Sequence, residues 1–559
     1  MADPTTTADI YSKEKRPLKL VFELLASEYK DLGVIVTYQI GVGLLTLTIP
    51  IGVQTVVNSF AFTQIFQSVV FLAVAVLVGQ VMGAVFHLFQ ILVVEKLQRR
   101  LFAHLSMELA YRLPRMLRQY PARFPEMVNR FFDVITVQKS IAMLAIEGTS
   151  LTLQMLIGLI LLAFYHPMLF AYDIGLVISI LFIIFVLGRG ALETSIKQSK
   201  WKYQVAAWLE EISTKSVAFS SKSARFFALQ KADEMVDGYL GAREKHFSVV
   251  FRQMVGFLGL QAIANTVLLT LGVWLVMSNQ LSVGQLVAAE LVVSGVLYSF
   301  SRFQKHLTSF YDLVAALDKI SFLMELPLES GGREIVKGES GLSIEIKEVM
   351  YRSRSSQRAV GPLTIALKPG AKVAVHGSNG SGKSTLVDML FGLKQPTAGV
   401  ILFNGIDSRL LAPELMREQI SLLRGVEVVY GTVIKNVKLG CPKADIQQIS
   451  AVLQRVGLLD EILAFSEGLE TVLAEDGSPL SVGQTKLLML ARAIVGDPAL
   501  LLIDQTLDGL DDKSKQTALN LVFAESAPWT VLITSQHPEI EERCGRVVNL
   551  DMITHGRPL

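Results

Sequence analysis

The sequence predicts two parts: an all-α membrane domain of six spanning helices, and after it a cytoplasmic α/β domain built around a phosphate-binding loop. Three observations carry this. Six apolar stretches before about residue 300 are each long enough to cross a bilayer as a helix, which takes about 20 residues. Lys and Arg collect in two of the five connections between them and are missing from the other three. Much later, a glycine-rich loop ending in Lys383-Ser384 lies between a short apolar strand pattern and a helical one.

The apolar stretches run Leu32–Val57, Ile65–Val94, Ile141–Tyr165, Met168–Val186, Met254–Met277 and Val283–Phe300. Polar insertions at 95–140 and 189–252 follow the second and fourth. The first carries Lys96, Arg99, Arg100, Arg112, Arg115, Arg118, Arg123, Arg130 and Lys139. Such residues accumulate on the cytoplasmic side, so both insertions and both termini are expected there. The short connections Asn58–Gln64, His166–Pro167 and Ser278–Ser282 are expected outside. This is a multi-pass plasma-membrane topology, the inner membrane in a Gram-negative cell.

The insertions have helical periodicity, as in Lys200–Ile212, and read as cytoplasmic extensions of the spans. The two prolines in Tyr120–Asp133 mark a tip. Two acids fall inside spans, Asp173 in the fourth and Glu290 in the sixth. They suit a polar lining of a passage or a place near the headgroups.

Composition excludes some functions. The net charge of +2 provides no general attraction to nucleic acid, and the two cysteines, Cys441 and Cys544, match no metal-ligand spacing. Residues 1–19 are polar and have no apolar core of their own, so no signal peptide is expected, and 1–30 reads as a cytoplasmic segment. The membrane domain is expected over 31–324. The Gly- and charge-rich 325–341 reads as a linker, and 342–559, where strand and helix patterns alternate, as the α/β domain.

In that domain Val373–His376 reads as a strand. Gly377, Ser378, Asn379, Gly380, Ser381, Gly382, Lys383 and Ser384 form the loop, and a helix opens at Thr385. Glycines let backbone N–H groups converge on phosphate oxygens, and the helix N-terminus adds positive potential. Lys383 is expected at the β- and γ-phosphates of ATP, and Ser384 at Mg²⁺. Asp504, ending the apolar strand Leu500–Ile503, is the second expected Mg²⁺ ligand. The helix running to Ile494 begins in Leu480-Ser481-Val482-Gly483-Gln484, whose Ser481 and Gly483 are placed to bind an anion.

From about residue 20 to 555 the chain resembles an ABC exporter half-transporter: a six-helix transmembrane domain followed by an ABC ATP-binding domain. The phosphate loop, LSVGQ, LLLIDQ and DGLD (Asp508–Asp511) occur in that family's order. The resemblance implies a dimer in which ATP lies between one chain's phosphate loop and the other's signature, here Leu480–Gln484. It implies that Glu475–Gly477 touches the partner's extensions, and that FPEMVNRF (124–131) and QVAAWLEEI (204–212) are coupling tips.

The chain departs from the family pattern in one role. The catalytic glutamate of the family is Gln505 here. The switch histidine's register falls on Gln536, with His537 one place later able to stand in. The family's Gln loop meets Arg424 or Gly425, and no glutamine. The adenine-stacking aromatic is expected near Ser353, where only Tyr351 is close, two positions early. An amide cannot take the proton of an attacking water, and general-base help is worth about 10²–10⁴ in rate. The expected function is an ATP-binding, membrane-spanning subunit of an ABC exporter. It couples ATP binding and hydrolysis in a dimer to export of an unspecified substrate, and turns ATP over weakly at its own site. The kept signature favours a second, different half-transporter as partner, with a homodimer as the alternative. Two other readings stay open: an ATP-gated or ATP-sensing membrane protein without pumping, and a homodimeric pump that tolerates the substitutions.

Overall fold

The computed structural model describes residues 26, 28–62, 66–116, 129–329, 331–338, 341–352 and 359–551. The chain divides into two compact units. One comprises Met1–Arg115 and Ala122–Leu326, the other Met116–Pro121 and Pro327–Leu559.

The first unit is helical: α1 (Tyr29–Thr46), α2 (Thr48–Phe62), α3 (Phe66–Arg112), α4 (Asp133–Met143), α5 (Thr149–Tyr165), α6 (Pro167–Phe182), α7 (Ala191–Thr214), α8 (Lys222–Met277) and α9 (Val283–Glu325). Five segments among the described residues are long and apolar enough to cross a membrane: Tyr29–Asn58, Val69–Arg115, Arg130–Tyr165, Pro167–Leu187 and Lys222–Met277. The sixth expected span begins α9, where the described apolar part is the shorter Val283–Gly295. Helix α3 has 47 residues and α8 has 56. At 1.5 Å per residue they reach about 70 and 84 Å, more than twice the ~30 Å hydrocarbon layer, so the basic insertions continue the spans as helix.

The turns follow from local chemistry. Helix α5 stops at Tyr165 because His166 is extended (φ −162°) and Pro167 cannot continue a helix; His166 Nδ1 then accepts from Met168 N to cap α6. Ser282 and Gln285 form a reciprocal capping box that starts α9. Beside it, Gly284 N donates to Asn58 Oδ1 at 3.2 Å. A Cβ at Gly284 would stand 2.4 Å from that oxygen, so the contact between α2 and α9 needs glycine.

Two expectations are revised here. QVAAWLEEI is the body of α7, with Trp208 buried against Ala228 O of α8; the turn lies beyond it, at Lys215–Ser221, where Val217 is 85% exposed. Most of FPEMVNRF lies outside the described residues. Residues 331–338 are also more than a tether. Gly332 N and Glu334 N donate to Arg409 O and Leu410 O, and Val336 is buried in the core of the second unit.

The second unit is α/β. Strands β1 (Ile344–Arg352), β2 (Ala359–Leu367), β4 (Ala398–Phe403) and β5 (Ile406–Asp407) form an antiparallel sheet in the order β2-β1-β4-β5. Strands β3 (Lys372–His376), β6 (Ile420–Arg424), β9 (Leu500–Asp504), β10 (Thr530–Thr534) and β11 (Arg546–Asn549) form a parallel sheet in the order β11-β3-β10-β9-β6. A small pair, β7 (Gly431–Thr432) and β8 (Val472–Leu473), completes the strands. Alternate residues serve opposite faces. Leu501, Ile503, Val531 and Ile533 enter one core, while Leu500, Leu502, Leu532 and Val375 enter the other. Both faces of the parallel sheet are therefore covered, and its strands read as continuous apolar runs. Among the helices, α10 (Lys383–Leu390), α11 (Val482–Ile494) and α12 (Asp512–Val522) carry the candidate site.

Candidate nucleotide site

In parallel α/β sheets ligands bind beyond the carboxyl ends of the strands. The candidate residues gather at that edge. Arg424, Asp504 and Thr534 are register partners on β6, β9 and β10, and Thr534 pairs in turn with Val375 of β3. The phosphate loop leaves β3 one residue later.

The loop turns through Gly380 and Gly382 at φ +88° and +102°. A Cβ at Gly382 would meet Val360 at 2.6 Å, so this position needs glycine both for its backbone and for its packing. Gly382 is the N-cap of α10, which opens at Lys383 rather than at the expected Thr385. Lys383 is 4% exposed and folds back, Nζ donating to Gly377 O at 2.6 Å and Ser378 O at 3.0 Å. Ser381 Oγ is buried and has no hydrogen-bond partner among the described residues. Ser378 N and Oγ both donate to the Asp551 carboxylate, at 2.7 and 2.8 Å. A loop whose backbone amide holds a carboxylate, with an ammonium beside it, fits an anionic ligand.

Gln536 lies at the loop, its Nε2 donating to Gly377 O at 3.4 Å and to Asn379 Oδ1 at 3.3 Å. His537 is exposed and starts the short helix Pro538–Glu542. Gln505 follows Asp504 in the left-handed region (φ +54°), its N donating to Thr534 O at 3.2 Å, with its residue exposed. Asp508 accepts from the buried Ser535 Oγ at 2.8 Å.

Of Arg424 and Gly425, it is Arg424 that enters the site. Nε donates to Asp504 Oδ2 at 2.8 Å, one terminal nitrogen to Asp388 Oδ1 at 2.6 Å, and the other to Ser384 O at 3.2 Å. The second oxygen of Asp504 accepts from Thr534 Oγ1 at 2.7 Å, and Asp388 Oδ2 pairs with Lys394 at 2.8 Å. Burial opposes the guanidinium charge, but Asp388 and then Asp504 outweigh it and raise its pKa further. This bears on the Mg²⁺ expected between Ser384 and Asp504. Ser384 is exposed, while both oxygens of Asp504 are engaged. Two unit charges 4 Å apart interact by about 4 kcal/mol at an effective dielectric of 20, and a divalent ion beside the guanidinium meets about twice that repulsion. The donor set, with Arg424 where it stands, does not fit a divalent cation.

In the signature, Ser481 caps α11. Its Oγ accepts from Gln484 N at 3.2 Å, and Gln484 Oε1 accepts from Ser481 N at 2.7 Å. Leu480 is buried, and Val482 is 68% exposed on the first turn. Gly483 stands near Asp511, the N-cap of α12. Tyr351 is a half-buried part of the β-sheet core, with Lys394 Nζ 5.3 Å from its ring centroid; Ser353 lies outside the described residues.

In the membrane unit Asp173 is buried, and neither of its oxygens has a hydrogen-bond partner among the described residues; Glu290 Oε2 is also unpartnered. A separate, mostly apolar cavity of about 480 Å³ is lined by Val36, Thr149, Leu153, His306 and Phe310.

Comparison with known proteins agrees with this geometry. Residues 360–508 match the family described as ABC transporter. The chain is 28% identical over 325 residues to the alpha-hemolysin translocation ATP-binding protein HlyB of Escherichia coli O157:H7, covering 57% of this chain and 46% of that protein. It is 29% identical over 268 residues to the mycobactin import ATP-binding/permease protein IrtB of Mycolicibacterium thermoresistibile, covering 47% of this chain and 46% of that one. The chain thus spans about half the length of these curated relatives. Its fold matches the structure of a bacterial Atm1-family ABC exporter with ATP bound at TM-score 0.83 and 17% identity, covering 95% of this chain and 94% of that one. Residues 360–508 are an ABC transporter ATP-binding domain, and the chain as a whole has the fold of an ABC exporter.

Proposed function

We propose that this chain is the ATP-binding, membrane-spanning subunit of an ABC exporter. It works in a dimer that couples ATP to export across the plasma membrane, or the inner membrane of a Gram-negative cell, with the ATP-binding unit and both termini in the cytoplasm. The observation that carries this is the phosphate loop, Gly377–Ser384, at the carboxyl edge of the parallel sheet, in a chain whose other unit holds membrane-length helices.

Lys383 neutralises the β- and γ-phosphates, while Gly380, Ser381 and Gly382 approach them with backbone N–H groups. The chain's own hydrolysis is slow, because Gln505 has no basic oxygen to take a proton and Gln536 stands where the resemblance expects a histidine. The exposed Val482 and the helix start at Ser481 present the signature to a partner's ATP. A partner with an intact glutamate and histidine would therefore supply the faster site, and the heterodimer is the form we propose. Arg424, bonded to Asp504, opposes Mg²⁺ at this site.

The test is binding of labelled ATP, and ATP-dependent substrate passage, in inverted vesicles carrying the full chain with its candidate partner. Lys383→Ala should abolish binding to this chain and lower passage. Unchanged ATP affinity in that variant would refute the site. Movement out of the vesicles, in the sense of the mycobactin import protein's name, would refute export.

A further inference from the structure

We propose that Arg424 is the resident cation of this nucleotide site, standing at Asp504 in place of a divalent metal, so that the site takes ATP free of Mg²⁺. The inference rests on the ATP-binding reading above and deepens it.

Three ends of the guanidinium are tied down, on Asp504, Asp388 and the carbonyl of Ser384 in the loop-to-helix turn. The backbone holds it there as well, since Arg424 and Asp504 are partners in the register of adjacent strands. The cluster is electrically closed: Asp504 and Asp388 face Arg424 and Lys394, two negative charges against two positive. The phosphates of ATP would bring a divalent cation most of its oxygens, but the one carboxylate the protein would add is Asp504, whose charge Arg424 already meets. Displacing Arg424 would leave two carboxylates, each only 8% exposed, with Lys394 as the single cation between them. Arginine cannot make room by losing its proton.

The same residue is equipped to do part of the metal's work. A guanidinium has five N–H donors. Three are used in these bonds, so two remain. Its side chain is 31% exposed, so part of the fork opens to solvent beside Ser384 at the end of the phosphate loop. A planar cation with free donors beside a phosphate loop is suited to phosphate oxygens. It does not activate a water as a metal does, in keeping with a site that holds ATP and turns it over slowly.

The experiment is equilibrium binding of radiolabelled ATP to the full chain in lipid nanodiscs, in excess Mg²⁺ and in excess EDTA, with Lys383→Ala marking the signal of this site. The wild-type affinity should agree between the two buffers within about threefold. Arg424→Gln removes the charge and frees Asp504, so its affinity should become Mg²⁺-dependent, at least about tenfold weaker in EDTA. Electron paramagnetic resonance with Mn²⁺ and ATP should show a protein-bound ion in Arg424→Gln and none in the wild type. A wild-type affinity about tenfold or more weaker in EDTA would overturn the proposal without any variant, and so would protein-bound Mn²⁺ at the wild-type site. ATP binding in neither buffer would overturn the ATP-binding reading itself, and this inference with it.

Discussion

Arg424 and Asp504 meet twice: they are partners in the register of β6 and β9, and their side chains join at 2.8 Å. Strand pairing thus fixes the ion pair at the edge where the phosphate loop begins. Because Asp504 and Asp388 are buried and Lys394 answers only one of them, Arg424→Ala should leave one carboxylate charge uncompensated and destabilise the ATP-binding unit by about 3 kcal/mol. Trp529, fully buried in that unit, reports its unfolding. The midpoint should fall in Arg424→Ala, and adding Asp504→Asn should recover part of the loss.

The signature makes a separate prediction. Val482 is 68% exposed, so Val482→Glu should change stability by no more than about 0.5 kcal/mol. The new carboxylate would stand at the start of α11, where a partner's phosphates are proposed to bind. ATP binding to this chain should persist, while ATPase of the complex with its partner falls. Equal loss of both activities would show that the signature serves this chain's own site.

Topology can be read from single cysteines in a chain with Cys441 and Cys544 changed to Ser. Ser278→Cys lies in the turn between α8 and α9 and should react with an impermeant thiol reagent on intact cells. Val217→Cys, in the exposed turn between α7 and α8, should react only after permeabilisation. The opposite pattern would invert the assigned orientation.

Cys544 should be a slow thiol in the native protein. Burial, and then the charge of Glu541, push its pKa from 9.0 up to about 12. Maleimide labelling at neutral pH should be slow when folded and fast in denaturant. The folded chain keeps this proton to a higher pH than the unfolded chain does. The associated stability is therefore complete below about pH 9 and lost as pH rises towards 12. Equal labelling rates in native and denatured protein would contradict this.

Much of this was legible in the sequence. Hydropathy and the Lys/Arg bias located the apolar helices, because bilayer length and positive charge leave one-dimensional marks. The phosphate loop was legible because its function needs Gly, Lys and Ser at fixed spacing. The tip at Lys215–Ser221 was not, since helical periodicity runs unbroken through QVAAWLEEI to Thr214. The packing of residues 331–338 was hidden because glycine-rich composition resembles a tether. In the sequence, Arg424 stands out only as a missing glutamine. Its pairing with Asp504 depends on register between strands 80 residues apart. The one available signal was that ISLLR and LLLID are apolar runs of equal length ending in opposite charges.

On the proposed function, this chain's own site holds ATP but turns it over slowly because residue 505 is an amide. The most direct measurement is the steady-state ATPase rate of the purified chain without a partner, at saturating ATP, compared with Gln505→Ala and with Gln505→Glu/Gln536→His. The wild-type rate should be slow, with little change in Gln505→Ala and a rise of up to about 10²-fold in the restored variant, limited by Arg424. Brisk hydrolysis by the wild type, abolished in Gln505→Ala, would contradict it.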